Sequence, residues 1–130
     1  IDKGSMFNTP PVFAVYVSML TLEWLKNLGG IKAIEKQNEM KARVMYSELD
    51  LNPLFKGYAV KEDRSLMNAT FNLTNDNLKE TFETMLKEAG ISGLNGHRSV
   101  GGYRASMYNA LPLESVKALV EVMSELETKA

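Results

Sequence analysis

The sequence predicts an α/β protein: a two-layer sandwich with a small, mostly antiparallel sheet, helices on one face of that sheet, and connecting helices at the N-terminus. Two observations indicate this fold class. Several long segments repeat apolar residues at helical spacing. Between them, SLMNATFNL (65–73) and YRASM (103–107) alternate apolar and polar residues, as strands covered on one face do. The predicted order is helix, helix, strand, strand, helix, strand, strand, helix, which favours two layers.

The first helix is predicted from about Pro10 to Leu28. Thr9 is a candidate N-cap, and Gly29 can supply the left-handed residue that ends a helix. Apolar residues lie on nearly all sides of this helix, so we expect it to be buried on more than one face. A domain of this size can hardly enclose it, which indicates a covering partner, either another domain or another subunit. We assign residues 1–29 to a connecting arm that includes this helix.

The second helix is predicted from about Gly30 to Leu49, and Asn52-Pro53 ends it. It opens a domain that spans residues 30–130. The apolar stripe expected to face the core consists of Ile31, Ile34, Met45 and Leu49. The lysines lie mainly on polar helix faces or in loops, and for none of them do we expect an apolar surrounding that would lower its pKa.

The remaining elements are shorter. Strands are predicted near Tyr58–Lys61, at 65–73, at Ile91–Leu94 and at Tyr103–Met107, with a turn at Asn95-Gly96. A third helix begins after a cap within Thr74–Asp76 and ends at Gly90, and the last helix begins at Leu111-Pro112. The core residues expected on these two helices are Leu78, Phe82, Met85, Leu86, Ala89, Leu113, Val116, Leu119, Val120, Met123 and Leu126.

Composition excludes several classes of function. The net charge of -1 gives no reason to expect a nucleic-acid or membrane partner. The chain has no cysteine and a single histidine, so we expect no disulfide and no metal site. The lack of cysteine fits a reducing compartment, and we expect a cytoplasmic protein. The most apolar run, Val12–Leu22, is too short to span a bilayer. The opening IDKGSMF has no signal-peptide pattern, and we expect a fragment of a longer chain.

One stretch, NGHRSVGGYRASMYNALP (95–112), concentrates cationic side chains around glycines. Arg104 falls on the polar face of a predicted strand, where a guanidinium can hold a carboxylate with two parallel hydrogen bonds. His97 and Arg98 lie in a glycine-rich loop that suits a phosphate. The alternatives are a surface arginine on the solvent face and a flexible turn with two exposed polar residues.

Asn8 and Thr9 form a third candidate anion site, since they precede a predicted helix N-terminus. The alternative is plain helix capping by Thr9. The sequence contains no acidic pair, no nucleophile–base pair and no phosphate-binding P-loop. Three anion sites without chemistry of their own predict that the chain supplies half of an active site.

The segments SMFNTPP, GHRSVGGYRAS and YNALP together resemble the C-terminal part of the phosphoserine aminotransferases, which are class V, fold-type I enzymes that use pyridoxal 5'-phosphate. The resemblance covers essentially the whole chain. It implies the small C-terminal domain, with its connecting arm, of a cytoplasmic homodimeric enzyme. That enzyme transfers an amino group between glutamate and 3-phosphohydroxypyruvate in serine biosynthesis, and in some bacteria its family also serves pyridoxine biosynthesis.

The resemblance also implies roles for the candidate residues. Asn8 and Thr9 would bind the cofactor phosphate of the other subunit, Arg104 the α-carboxylate of the substrate, and His97 and Arg98 its phosphate. The Schiff-base lysine of the family lies in a region with no match here, so no catalytic residue is assigned and the fragment alone is expected to be inactive. The alternatives are a stand-alone anion-binding or regulatory module that lost catalysis, and a purely structural dimerisation domain.

Overall fold

The computed structural model describes residues 2–130, which form two compact units, one ending at Glu35 and one spanning Lys36–Ala130. The helices are α1 (Val12–Asn27), α2 (Ile31–Leu51), α3 (Lys79–Glu88) and α4 (Leu113–Lys129). The strands are β1 (Phe55–Gly57), β2 (Asn68–Leu73) and β3 (Tyr103–Ser106), and short 3₁₀ turns cover Lys61–Asp63 and Asp76–Leu78. No helix within residues 2–130 is long and apolar enough to cross a membrane.

The sheet has the order β1-β2-β3 and both pairs are antiparallel. One face is buried: Ala69 and Phe71 of β2 lie opposite Ala105 and Tyr103 of β3. Residues of α2, α3 and α4 complete the core beneath that face, namely Met45, Leu49, Phe82, Leu86, Val116, Leu119, Val122, Met123 and Leu126. The predicted fold class is therefore confirmed, with a fully antiparallel sheet.

Aromatic rings fix the sheet onto the helices. Phe82 of α3 packs edge-on against Phe55 and Tyr103, with ring centroids 5.1 and 5.2 Å apart. Phe71 lies 5.5 Å from Tyr103 in a stacked arrangement. Such pairs stabilise a core by about 0.5–1.5 kcal/mol beyond the burial of their area. They hold the buried face of β3 in place, so that its alternate residues face solvent.

Two predicted strands are wrong. The first strand is Phe55–Gly57 rather than Tyr58–Lys61, because the Asn52 side chain accepts a hydrogen bond from the Leu54 N–H and the chain extends immediately afterwards. Ile91–Leu94 is not a strand, because Gly93 has a positive φ of 78° that breaks extended backbone. At this edge a single bridge joins Asn95 and Tyr103, flanked by hydrogen bonds from the Arg104 N–H to the Leu94 carbonyl at 2.6 Å and from the Gly96 N–H to the Gly102 carbonyl.

The helix ends and core stripes also need correction. α1 begins at Val12 rather than Pro10, and no side chain caps it, so Thr9 is not its N-cap. Gly29 ends the helix as predicted, with φ 102°. Ile31 and Ala89, expected in the core, are exposed. The buried stripe of α2 instead includes Asn38, Lys41 and Ala42.

α1 is apolar and uncovered within the described chain. None of its residues is buried, and the most exposed large side chain is Phe13 at 80%. The first unit therefore presents the all-round apolar helix that the sequence predicts. The covering partner expected for it remains a prediction.

Candidate functional site

The open face of the sheet carries the main candidate residue. Arg104 of β3 lies directly opposite Thr70 of β2, and it is exposed while its neighbours Tyr103 and Ala105 are buried. A cavity of about 240 Å³ opens around it. The cavity is lined by Tyr58, Thr70, Phe71, Asn72, His97, Val100, Gly101, Tyr103 and Arg104. The fold thus brings His97 and Arg104 to one cavity, as an anion-binding site requires.

The loop that carries His97 is closed by backbone hydrogen bonds. The Gly96 N–H donates to the Gly102 carbonyl at 2.9 Å, and the Gly101 N–H donates to the His97 carbonyl at 2.8 Å. A side chain at Gly96 would collide with the Gly101 carbonyl. Gly102 has a φ of 67°, and a Cβ there would collide with the Asn72 side chain and approach the Phe71 carbonyl. These glycines let the loop lie directly against the sheet.

His97 and Arg98 differ in their placement. The Nδ1 atom of His97 lies 2.7 Å from Ser99 Oγ and accepts a hydrogen bond from the Ser99 N–H at 3.3 Å. Nε2 is then the ring nitrogen available to a ligand. Arg98 is exposed in the same loop but is not among the residues that line the cavity. Two of the predicted site residues, His97 and Arg104, therefore line the cavity, whereas Arg98, predicted beside His97, lies outside its wall.

Asn8 and Thr9 belong to the other compact unit. Both are exposed, and Thr9 precedes the first residue of α1 by three positions. Because no side chain caps this helix, the Asn8 amide and the Thr9 hydroxyl are not used for capping. Amide and hydroxyl donors of this kind suit the oxygens of a phosphate group.

Several residues of the cavity were not predicted from the sequence. Tyr58, Thr70, Asn72 and Val100 line it together with Arg104. Thr70 and Asn72 are polar positions in the alternating stretch 65–73, but the register that puts Thr70 beside Arg104 depends on tertiary pairing. Tyr58 follows β1, and its N–H donates to the Thr70 carbonyl at 2.9 Å. That hydrogen bond places it in the same cross-strand row.

Tyr103 belongs to the framework of the site. Burial raises the pKa of its phenol to about 12, and the nearby Glu83 carboxylate adds to the rise. The phenol is therefore neutral at physiological pH. Within residues 2–130 its hydroxyl has no hydrogen-bond partner. Tyr103 packs the underside of the sheet and is no candidate for proton transfer to a ligand held by Arg104.

Lys41 contradicts the expectation that no lysine has an apolar surrounding. It is only 1% exposed, and burial lowers the pKa of its ammonium group. Its Nζ atom donates hydrogen bonds to the carbonyls of Met107, Tyr108 and Leu111. All three N–H groups have acceptors, so this lysine is not poised as a nucleophile. The signal was present in the sequence, since position 41 falls on the apolar stripe of α2.

The described residues hold no group of three or more His, Cys, Asp or Glu side chains that could bind a metal ion. The site is thus defined by cationic and hydrogen-bonding side chains on a sheet surface, beside a glycine loop. An arrangement of this kind can bind and orient anionic groups. That it forms half of an active site stays a prediction.

Comparison with known proteins places the chain in a family. The profile of the aminotransferase class-V family matches residues 2–119, and the chain belongs to that family.

Its relatives are more specific. The chain is 70% identical over 129 residues to the phosphoserine aminotransferase of Flavobacterium psychrophilum, with 99% of the chain and 36% of the relative covered. A solved phosphoserine aminotransferase, studied for radiation damage of its Schiff base, matches with a TM-score of 0.90 and 49% identity, over 99% of this chain and 36% of that one. The PLP-bound phosphoserine aminotransferase from Trichomonas vaginalis matches with a TM-score of 0.83 and 36% identity, over 95% of this chain and 36% of that one. The chain therefore spans about a third of the length of these relatives.

Proposed function

We propose that this chain is the C-terminal small domain of a phosphoserine aminotransferase. The complete enzyme would transfer an amino group between glutamate and 3-phosphohydroxypyruvate, giving 2-oxoglutarate and phosphoserine. It would act in the cytoplasm as a homodimer in serine biosynthesis. Whether it also acts in pyridoxine biosynthesis depends on its substrate range. The observation that supports this proposal best is the pairing of Arg104 and His97 in one cavity.

Arg104 is the proposed ligand for the α-carboxylate. Its guanidinium stands on a rigid antiparallel sheet, so two parallel N–H donors can hold one carboxylate in a fixed plane. Glutamate and phosphoserine present the same α-carboxylate, and one arginine can serve both half-reactions. Its task is orientation: it fixes the α-carbon of the substrate relative to the reacting groups.

His97 and Arg98 are the proposed ligands for the substrate phosphate. His97 lines the cavity and can donate from Nε2, and Arg98 lies next to it in the exposed part of the same loop. A phosphate at this end and a carboxylate at Arg104 would hold the substrate at both ends. The loop bonds that close residues 96–102 keep His97 at the cavity wall.

Asn8 and Thr9 are the proposed contacts to the phosphate of pyridoxal 5'-phosphate. Both side chains are exposed and neither caps α1, so their amide and hydroxyl donors are available to a phosphate oxygen. When bound in the complete enzyme, this cofactor supplies the electron sink for amino-group transfer. The family's Schiff-base lysine lies outside the region that this chain matches, so we expect the chain alone to lack aminotransferase activity.

The test uses the complete protein that contains this chain, with kinetics measured for both amino donors. Arg104→Lys keeps the charge but loses the planar two-pronged geometry, and loss of a charge-assisted hydrogen bond costs about 1.5–3 kcal/mol. We expect kcat/KM to fall by about one to two orders of magnitude for glutamate and phosphoserine alike. Arg43→Lys, on an exposed part of α2, is the matched control.

Arg98→Ala separates the two anion sites. It should weaken phosphoserine far more than glutamate, because only phosphoserine carries a phosphate. Equal damage to both donors would contradict the phosphate assignment. An Arg104→Lys enzyme of normal efficiency would contradict the carboxylate assignment, whereas a complete protein without any aminotransferase activity would favour a module that binds anions without catalysis.

A further inference from the structure

Lys41 is a buried cation whose partners are all neutral. Its Nζ atom donates to the carbonyl oxygens of Met107 at 3.0 Å, Tyr108 at 2.7 Å and Leu111 at 3.1 Å. None of the ion pairs formed within residues 2–130 involves it. An ammonium group has three N–H donors, so the three carbonyls use all of them.

The three carbonyls belong to one segment, residues 107–111, which connects β3 to α4. A second residue of α2 holds the same segment, since Asn38 Nδ2 donates to Asn109 Oδ1 at 2.8 Å. On the other side, the Met107 N–H donates to the Met67 carbonyl at 2.7 Å. The end of β3 is therefore fixed from the helix layer and from the residue that precedes β2.

This anchorage begins three residues after Arg104. The segment has two further kinds of contact: the Leu111 N–H donates to the Tyr108 carbonyl at 2.9 Å, and the Met107 side chain is buried in the core with Leu111 packed against it. An apolar side chain at position 41 could fill the same space under the sheet, but it could not hold three carbonyls in converging directions. The buried charge therefore has a geometric consequence for the strand that carries Arg104.

We propose that Lys41 is a positioning residue for Arg104: its ammonium group gathers the carbonyls of residues 107, 108 and 111 and so fixes the end of β3 in the register that aims the guanidinium. This inference rests on the proposed function, because it takes Arg104 as the ligand of the substrate carboxylate. Two-pronged binding depends on orientation, and a displacement of about 1 Å in a substrate-positioning group can cost about 100-fold in rate. Lys41 acts through backbone, without touching the substrate.

The experiment compares Lys41→Met with Lys36→Met in the complete protein. Methionine has a similar length and no donor, and Lys36 is an exposed lysine on the same helix. For Lys41→Met we expect the KM values of glutamate and phosphoserine to rise together by about 10-fold, with a smaller change in kcat. Lys36→Met should leave both constants unchanged. Circular dichroism at the assay temperature verifies that each variant is folded, so that lost stability is not read as lost binding.

A milder variant covers the case in which Lys41→Met does not fold. Asn38→Ala removes the hydrogen bond to Asn109 alone, and it should raise both KM values in the same direction by a smaller factor. A folded Lys41→Met or Asn38→Ala protein with unchanged KM for both donors overturns the proposal.

Arg104→Lys, measured in parallel, distinguishes failure of this proposal from failure of the proposed function. If Arg104→Lys raises both KM values and the Lys41 variant does not, only the positioning role is wrong. If Arg104→Lys is itself without effect, the carboxylate assignment and the positioning role are both overturned.

Discussion

Thr70 and Arg104 lie directly opposite each other on β2 and β3, on the face of the sheet that the helices leave open. Side chains in this relationship have Cβ atoms about 4.5–5.5 Å apart. A carboxylate introduced at position 70 would therefore reach the guanidinium from the neighbouring strand. This relationship gives a direct test of whether Arg104 must be available to the substrate.

Thr70→Glu should occupy Arg104 with an internal carboxylate. In the complete protein we expect the KM values for both amino donors to rise by about one to two orders of magnitude, because the substrate must displace a tethered competitor. Thr70→Gln is the matched control, since it has the same size without the charge. If the two variants have equal KM values, the effect is steric and Arg104 is not the carboxylate ligand.

The sequence predicted the elements of this fold better than their contacts. β2 and β3 could be predicted because each alternates cleanly, and Arg104 was predicted as a binding residue because it falls on the polar side of that alternation. Thr70 could not be assigned to the same site, because the register of two strands far apart in sequence is a tertiary property. Ile91–Leu94 was misassigned because apolar residues there indicate a strand, while Gly93 adopts a positive φ.

Lys41 shows a different limit of prediction from sequence. Its position on the apolar stripe of α2 was visible, but helical spacing cannot indicate that three carbonyls of a distant turn would satisfy a buried ammonium group. When a polar residue falls on a predicted core stripe, either it has a buried hydrogen-bond partner or the stripe is predicted wrongly. Asn38, one turn earlier on α2, donates to Asn109, so both polar side chains bind the same segment, residues 107–111.

Gly101 and Gly102 provide a matched pair for the loop that carries His97. Both have positive φ, 75° and 67°, so alanine at either position has the left-handed strain of about 1–2 kcal/mol. A Cβ at Gly101 meets no atom within 4 Å, whereas at Gly102 it would collide with Asn72 and approach the Phe71 carbonyl.

Gly102→Ala should therefore lower the free energy of unfolding by about 1–3 kcal/mol more than Gly101→Ala. Urea denaturation of both variants measures the difference. Equal losses would mean that the loop does not rest on β2 as the structure has it.

Asp50 and Arg64 form a two-pronged ion pair, with hydrogen bonds of 2.6 and 3.0 Å. The Arg64 guanidinium, helped by the Lys61 ammonium 3.2 Å from the carboxylate, lowers the pKa of the Asp50 carboxyl from 3.8 to about 2. Because the folded pKa lies below the ordinary value, the pair stabilises the fold above about pH 4, and this contribution is lost as the pH falls towards about 2. The pair is partly exposed, so solvent screening reduces its contribution to on the order of 1 kcal/mol.

Asp50→Asn should accordingly lower the free energy of unfolding at pH 6 by about 1 kcal/mol and have little effect near pH 2. Denaturation curves of the two proteins across this pH range give the comparison. Asp63→Asn is the control, because it removes a carboxylate from the same region without breaking this pair. A difference that stays constant down to pH 2 would show that the aspartate contributes by packing instead of charge.

The last prediction concerns α1 in the isolated chain. Phe13, Leu20 and other large side chains of this helix are exposed, and each forgoes about 1.5–3 kcal/mol of burial. We therefore expect the 130-residue chain to self-associate through α1 as its concentration rises. The single tryptophan, Trp24, lies on this helix, so its fluorescence should shift to shorter wavelength as sedimentation velocity reports larger species. A Phe13→Gln, Leu20→Gln double variant should weaken both changes, whereas Leu51→Gln, which alters an exposed apolar residue at the end of α2, should weaken neither. A monomer at every concentration, with unchanged Trp24 emission, would mean that α1 needs no cover.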